Sequence, residues 1–279
     1  MKLLRYLTKR RKFTMQRIKN IKLFLFDMDG TLYLGNQLYP FTKELLTTIK
    51  NSGATYMYMT NNSSKSVKDY IKKLNNLGIE AKEEEFITSS QATSYYLKNK
   101  YPFEKIYVCG TRSLKDEFIK EGFTLTENVD ETTLIVMGND TELTFKKLHD
   151  VCEILLTKEN IKYVATNLDV VCPTEFGSVP DCGSFCDMIY NCTGRRPELV
   201  GKPEPIMPYL AMDRTGYSKE QTAVIGDRIY TDVKSGLNAG VLSILVMSGE
   251  TTEEILKASE DKPDLVLKNC EEITKALCD

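Results

Sequence analysis

Leu23-Phe24-Leu25-Phe26-Asp27-Met28-Asp29-Gly30-Thr31-Leu32-Tyr33 decides how the rest of the chain is read. Four apolar residues in a row, two of them aromatic, read as a strand buried on both faces, the pattern of a parallel sheet covered by helices. The run stops at carboxylates. Asp27 and Asp29 are two apart, so on extended backbone their side chains leave the same side of the chain, and Gly30 lets it turn. Ligands of open α/β sheets bind beyond the carboxyl ends of the strands, so the pair stands where chemistry is expected. Alone, Asp-x-Asp-Gly is ordinary turn composition. Its meaning depends on what lies downstream.

From Ile21 onward a βα rhythm begins. A helix over Lys43–Asn51 leads to a strand at Ala54–Met59 that ends, like the first, in polar residues: Thr60-Asn61-Asn62-Ser63-Ser64. A helix over Ser66–Leu77, a strand at Phe86–Thr88 and a helix capped by Ser89 or Ser90 follow. A second alternating unit then reads as strands at Lys105–Cys109, Leu134–Met137 and Tyr163–Ala165 with helices Ser113–Lys120 and Thr144–Thr157. Asn167–Gly183 reads as a Pro/Gly-rich loop, Ser184–Asn191 as a short helix, and Thr193–Pro197 as a linker. The first rhythm resumes with a helix through Arg214, strands at Ala223–Asp227, Leu242–Val246 and Asp264–Leu267, a helix over Tyr230–Asn238 and another from Glu271. The expected fold is α/β: a doubly wound parallel sheet with a second α/β unit inserted.

Composition bounds the partners. A net charge of −2 over 279 residues argues against a general nucleic-acid binder, and no apolar run approaches the roughly 20 residues of a membrane span. Eight scattered cysteines without an apolar secretory segment suggest free thiols in a reducing cytoplasm. Cys182, Cys186 and Cys192 fit no zinc spacing, and the single histidine, His149, reads as a surface residue of an amphipathic helix. Met1–Lys22 carries nine basic side chains and no acid. That composition suits an RNA-touching, membrane-surface or targeting tail as well as a solvated extension, and it lacks the apolar face that membrane docking requires.

Asp27, Asp29, Thr60, Lys202, Asp227 and Asp232 all fall at strand ends or at the start of the following helix, so they are expected to converge. Clustered carboxylates repel, which predicts a hard divalent cation, Mg²⁺ first among them, and Lys202 beside it implies an anion such as phosphate between the two. Together these residues resemble the motifs of a known family. Asp27-Met28-Asp29-Gly30-Thr31 resembles the first motif of the haloacid-dehalogenase (HAD) superfamily, Thr60-Asn61-Asn62 its second, Lys202 its third, and Gly226-Asp227 with Thr231-Asp232 its fourth. Asp27 and Thr60 are 33 residues apart, too few for an insert, whereas Thr60 and Lys202 are 142 apart, room for a whole domain. That layout is similar to HAD members with an α/β (C2-type) cap after the third core strand. It gives a basic extension at 1–18, core at 19–99 and 197–279, and a cap at 100–196. Thr166-Asn167-Leu168-Asp169, Pro173-Thr174, Gly177, Val179-Pro180 and Gly183-Ser184 resemble the NagD/p-nitrophenylphosphatase group, except that Asp181 stands where the group usually has Gly.

The resemblance implies a Mg²⁺-dependent phosphatase of small phosphomonoesters (sugar phosphate, nucleotide, phosphoglycolate or similar) that forms an aspartyl-phosphate. It implies Asp27 as nucleophile, Asp29 as acid and then base, and Thr60, Asn61 and Lys202 as phosphate-binding residues. Asp27, the Asp29 main-chain carbonyl and Asp227 would hold the metal, and Asp232 would orient a water on it. Pro173, Thr174, Asp181 and Gly183 would form a substrate-specificity loop in a mobile lid, the Asp181 carboxylate disfavouring a second anion on the leaving group. A homodimer through the cap is a further option; no nucleic-acid or membrane partner is expected. The alternatives are a phosphotransferase or phosphomutase on the same site, or a catalytically idle protein of the same fold.

Overall fold

A computed structural model describes residues 15–174 and 176–278. Most of the basic extension, residues 1–14, and the Pro173 side chain lie outside the described part. The chain divides into two compact units. One comprises residues up to 60, 74–87 and from 202 on; the other comprises 61–73 and 88–201. Among the described residues no helix is long and apolar enough to cross a membrane.

In chain order the strands are β1 (Leu23–Phe26), a hairpin of β2 (Tyr33–Leu34) and β3 (Gln37–Leu38), β4 (Thr55–Thr60) and β5 (Phe86–Thr88). Then come β6 (Lys105–Cys109), β7 (Thr124–Leu125), β8 (Leu134–Met137), β9 (Lys162–Ala165), β10 (Val171–Thr174), β11 (Gly177–Pro180) and β12 (Glu198–Leu199). The last three are β13 (Thr222–Gly226), β14 (Leu242–Val246) and β15 (Leu265–Leu267).

The first unit is built on a six-stranded sheet in the order β15-β14-β13-β1-β4-β5. β1 is its centre: all four residues are buried, and it pairs in parallel with β13 on one side and β4 on the other. The helix Thr42–Asn51 turns Leu45, Leu46 and Ile49 into the core and packs on the C-terminal helix Glu271–Cys278. From β1 the chain builds outward to β4 and β5, then returns to β13 on the opposite side of β1. The order therefore reverses between β1 and β13, the topological switch point where open α/β sheets bind their ligands.

The second unit has a parallel sheet in the order β12-β9-β8-β6-β7. Tyr107, Ile135, Met137 and Tyr163 meet Val151, Ile154, Phe185 and Ile189 of the helices Phe145–Thr157 and Cys182–Thr193 in one apolar cluster. Side-chain caps start its helices: Thr111, Thr144 and Asp181 each accept a main-chain N–H of the first turn. Thr88, rather than Ser89 or Ser90, caps Ser89–Lys100 through a reciprocal box with Gln91. The expected loop at Asn167–Gly183 contains the antiparallel β10–β11 hairpin. Its prolines suggested a loop, but a two-stranded ribbon is all edge and tolerates residues without an N–H.

Candidate active site

β1 ends at Phe26, so Asp27 is the first residue beyond the switch-point strand; its N–H still donates to Ile225 O of β13 at 2.8 Å. Gly30, at φ +77°, turns the chain back, and its N–H donates to Tyr33 O at 2.7 Å. A β-carbon at Gly30 would run into the Asp227 carboxylate, so glycine is needed for contact as well as for conformation. β13 ends at Gly226, and Asp227 follows it as Asp27 follows β1. Asp232 sits in a π turn, Ile229–Val233, a wide turn often found at functional sites. Gly226 has no room for a side chain because Asp232 packs against it.

Asp27, Asp227 and Asp232 bring carboxylate oxygens within 4.8 Å of one another. Lys202, whose side chain is 3% exposed, places Nζ 2.6 Å from Asp27 Oδ1, 2.6 Å from Asp232 Oδ1 and 3.4 Å from Met59 O. An ammonium has three donors, and each has an acceptor here. Asp227 Oδ2 accepts the Glu250 N–H at 2.7 Å, and Asp232 Oδ2 accepts the Arg228 N–H at 3.0 Å. Three carboxylates against one ammonium leave negative charge in excess. Burial, reinforced by Asp232 and Asp227 and opposed by Lys202, pushes Asp27 up to about 8. Burial and then Asp232 push Asp227 up to about 6. Burial pulls the other way on Lys202, but Asp232 and Asp27 outweigh it and hold its pKa above the usual lysine value.

Thr60 ends β4, buried, one residue after the Met59 carbonyl that Lys202 reaches. Asp29 does not join the three carboxylates. The strand stops before it, so alternation no longer governs its direction, and it lies exposed on the turn that pairs with Tyr33. Asn61 belongs to the second unit, where its side-chain amide donates to Asp169 at 3.0 Å and its carbonyl accepts from Ser89 Oγ at 2.6 Å.

Three residues of the expected specificity loop have structural duties. Asp181, 4% exposed, caps Cys182–Thr193 and accepts from Asn167 Nδ2 at 3.1 Å. The helix begins at Cys182, two residues before the expected Ser184, and Asp181 is its cap. Gly183 permits the close approach of the helix start to Leu168 O. Thr174 Oγ1 donates across the hairpin to Gly177 O at 3.1 Å. His149 has its side chain 63% exposed.

Sequence reasoning missed Thr31, whose hydroxyl faces Asp227 Oδ1 at 3.5 Å, and the segment 248–251. Ser248 Oγ donates to Gly30 O at 2.7 Å, Gly249 lies against the Asp227 carboxylate, and Thr251 N–H donates to Asp227 O at 3.2 Å. The segment follows the carboxyl end of β14, and that position was the available signal.

Residues 24–124 match the model of the haloacid dehalogenase-like hydrolases, and residues 199–273 match that of the HAD-hydrolase-like proteins. An acid sugar phosphatase of Staphylococcus haemolyticus is 34% identical over 90% of this chain and 95% of its own. The crystal structure of a 4-nitrophenylphosphatase from Thermotoga maritima superposes with a TM-score of 0.87 at 39% identity, covering 94% of this chain and 99% of that one. A p-nitrophenyl phosphatase from Archaeoglobus fulgidus gives 0.84 at 28% identity, over 92% and 99%. With its carboxylates gathered at the switch point of a parallel sheet and relatives matched along nearly their full lengths, the chain belongs to the HAD superfamily, as a phosphatase of the NagD/p-nitrophenylphosphatase type.

Proposed function

We propose that the chain is a Mg²⁺-dependent phosphatase of small phosphomonoesters, sugar phosphates among them, which carries the phosphoryl group on Asp27. The observation behind this is the meeting of Asp27, Asp227, Asp232 and Lys202 in one buried cluster. The substrate class follows the relatives, an acid sugar phosphatase and p-nitrophenyl phosphatases. The cluster suits Mg²⁺: every donor is a hard oxygen, and burial disfavours the charge of two carboxylates that a cation would compensate. Asp27, Asp227 and the Asp29 main-chain carbonyl would hold the ion, which when bound supplies positive charge opposite the phosphate oxygens.

In the first half-reaction an Asp27 oxygen attacks phosphorus, the bond to the ester oxygen breaks, and Asp29 gives its proton to the leaving alkoxide. Asp29, now a carboxylate, takes a proton from a water whose oxygen attacks the same phosphorus. The Asp27–phosphorus bond then breaks, inorganic phosphate leaves, and both residues are restored. The exposure of Asp29 suits a group that must pass through both protonation states. Lys202, the Thr60 hydroxyl and the main-chain N–H of Asn61 bind phosphoryl oxygens; the Asn61 side chain is engaged by Asp169. These residues recognise only what all phosphomonoesters share, so substrate choice depends on residues outside the cluster. Eight free cysteines support a reducing, cytoplasmic setting.

The test is hydrolysis of p-nitrophenyl phosphate with Mg²⁺ and after chelation, followed by phosphate release from sugar phosphates, nucleotides, phosphoglycolate, glycerol phosphate and pyridoxal phosphate. Turnover that depends on Mg²⁺ and includes sugar phosphates is expected. Undiminished activity after exhaustive chelation would contradict the metal, and inert sugar phosphates beside an active nitrophenyl ester would contradict the substrate class.

A further inference from the structure

The main-chain N–H groups that hold Asp227 and Asp232 come from Glu250 and Arg228, two residues far apart in the chain. Their side chains meet. Arg228 Nε lies 2.9 Å from Glu250 Oε2, and the other oxygen of Glu250 accepts the Tyr230 hydroxyl. Two further bonds run alongside: Ile229 N–H to Thr251 Oγ1 and Thr251 N–H to Asp227 O, both at 3.2 Å. The segment so tied includes Gly249, which lies against Asp227 and whose backbone is the freest of any residue type.

Arg228 and Glu250 keep 23% and 40% of their side chains exposed. An exposed ion pair of this kind contributes little to stability. Its placement matters more than its strength. Arg228 is also an electrostatic neighbour of Asp227, and a guanidinium carries a permanent charge and five donors. Released from Glu250, it would compete with a cation for the Asp227 carboxylate, and Glu250 N–H would lose its fixed aim.

We infer that Arg228, Tyr230 and Glu250 are positioning residues, a side-chain clasp that aims two main-chain N–H groups at Asp227 and Asp232 and keeps the Arg228 guanidinium off Asp227. It thereby sets the affinity of the cluster for its cation. This rests on the cation reading of the cluster.

Calorimetric titration of the full chain with Mg²⁺, without substrate, tests it. Glu250→Ala and Arg228→Ala should each weaken binding by about tenfold, the scale of lost support around metal ligands. Their melting temperatures without Mg²⁺ should move by no more than about 3 °C. The double variant should bind no more weakly than Glu250→Ala alone, because the competing guanidinium is gone with its partner. Glu250→Gln and Tyr230→Phe, which keep the volume, carry the same comparison if a truncated variant fails to fold. Single variants within twofold of wild type, or a double variant whose loss is the product of the two single losses, would overturn this inference alone. A wild-type chain that binds no Mg²⁺ would overturn the cation reading and this inference with it.

Discussion

The two units share a parallel α/β plan and differ in how they treat buried carboxylates. In the second unit each one is balanced locally. Asp140 meets Lys147 at 2.7 Å, Asp181 is used as a helix cap, and Asp150 accepts from Tyr107 at 2.8 Å and pairs with Lys146. Burial alone would raise Asp150, but Lys146 and Tyr107 outweigh it and hold its carboxyl below the usual range. In the first unit Asp27, Asp227 and Asp232 share Lys202, and the first two are pushed up to about 8 and about 6. The parallel plan is the same in both, so it does not by itself single out one set of strand ends. The unbalanced negative charge at the β1–β13 switch point does, and a buried excess of charge is the mark of a candidate functional site.

The sharpest break of this contrast is Asp27→Asn. It should reduce kcat on p-nitrophenyl phosphate by at least about 10³-fold, the scale of losing a nucleophile, while the melting temperature without cation stays level or rises as repulsion is relieved. Comparable turnover by a folded Asp27→Asn chain would remove the distinction between the units. Lys202→Met should follow, with a loss of about 10²–10³ in kcat. Deleting the buried partner of two carboxylates should also cost about 3–5 kcal/mol in denaturant unfolding, and less at low pH, where the carboxylates take up protons. A stable, active Lys202→Met would show that the charge is balanced elsewhere.

The two units should also differ in how their stability depends on pH. Burial pushes the folded Asp27 and Asp227 up to about 8 and about 6, against about 4 for an unfolded aspartate. Between those values the folded chain binds more protons than the unfolded one, so stability without cation falls as pH rises from about 4 to about 8. Mg²⁺ competes with those protons, so its gain in melting temperature should be larger near pH 8 than near pH 5, by about 3 °C or more. Equal gains at both would contradict the assignment of the charge to these residues. The smallest effect is expected from the balanced unit. Asp181→Ala should cost about 1 kcal/mol, as the loss of an N-cap does, and leave the ranking of substrates unchanged. A changed ranking would return Asp181 to the specificity loop.

The strand ends were the legible part of the sequence. β1 and β13 are short apolar runs that stop at a carboxylate, so Asp27 and Asp227 could be placed before any coordinates, and Lys202 and Asp232 by their order along the chain. What failed depended on local boundaries. Alternation puts Asp29 on the side of Asp27 only on extended backbone, and the strand ends at Phe26. Asp181 reads as a loop charge if the helix starts at Ser184, and it starts two residues earlier, at Cys182. The β2–β3 hairpin went unread although Gly35-Asn36 is a hairpin signal, because each strand is only two residues long. The segment 248–251 is not legible as a partner of Asp227, since its hydrogen bonds there are donated by main-chain N–H groups, which any residue type carries.

On this reading, the excess negative charge at the switch point serves phosphoryl transfer to Asp27. The Asp29→Asn variant, quenched during turnover of p-nitrophenyl phosphate in Mg²⁺, checks this by mass spectrometry of the phosphoryl group, because that leaving group departs without the proton Asp29 would give. Without its base this variant should hydrolyse the intermediate slowly and accumulate it. The expected result is one phosphoryl group on the peptide containing Asp27, absent from the Asp27→Asn/Asp29→Asn chain. A phosphoryl group found on any other residue would contradict the account.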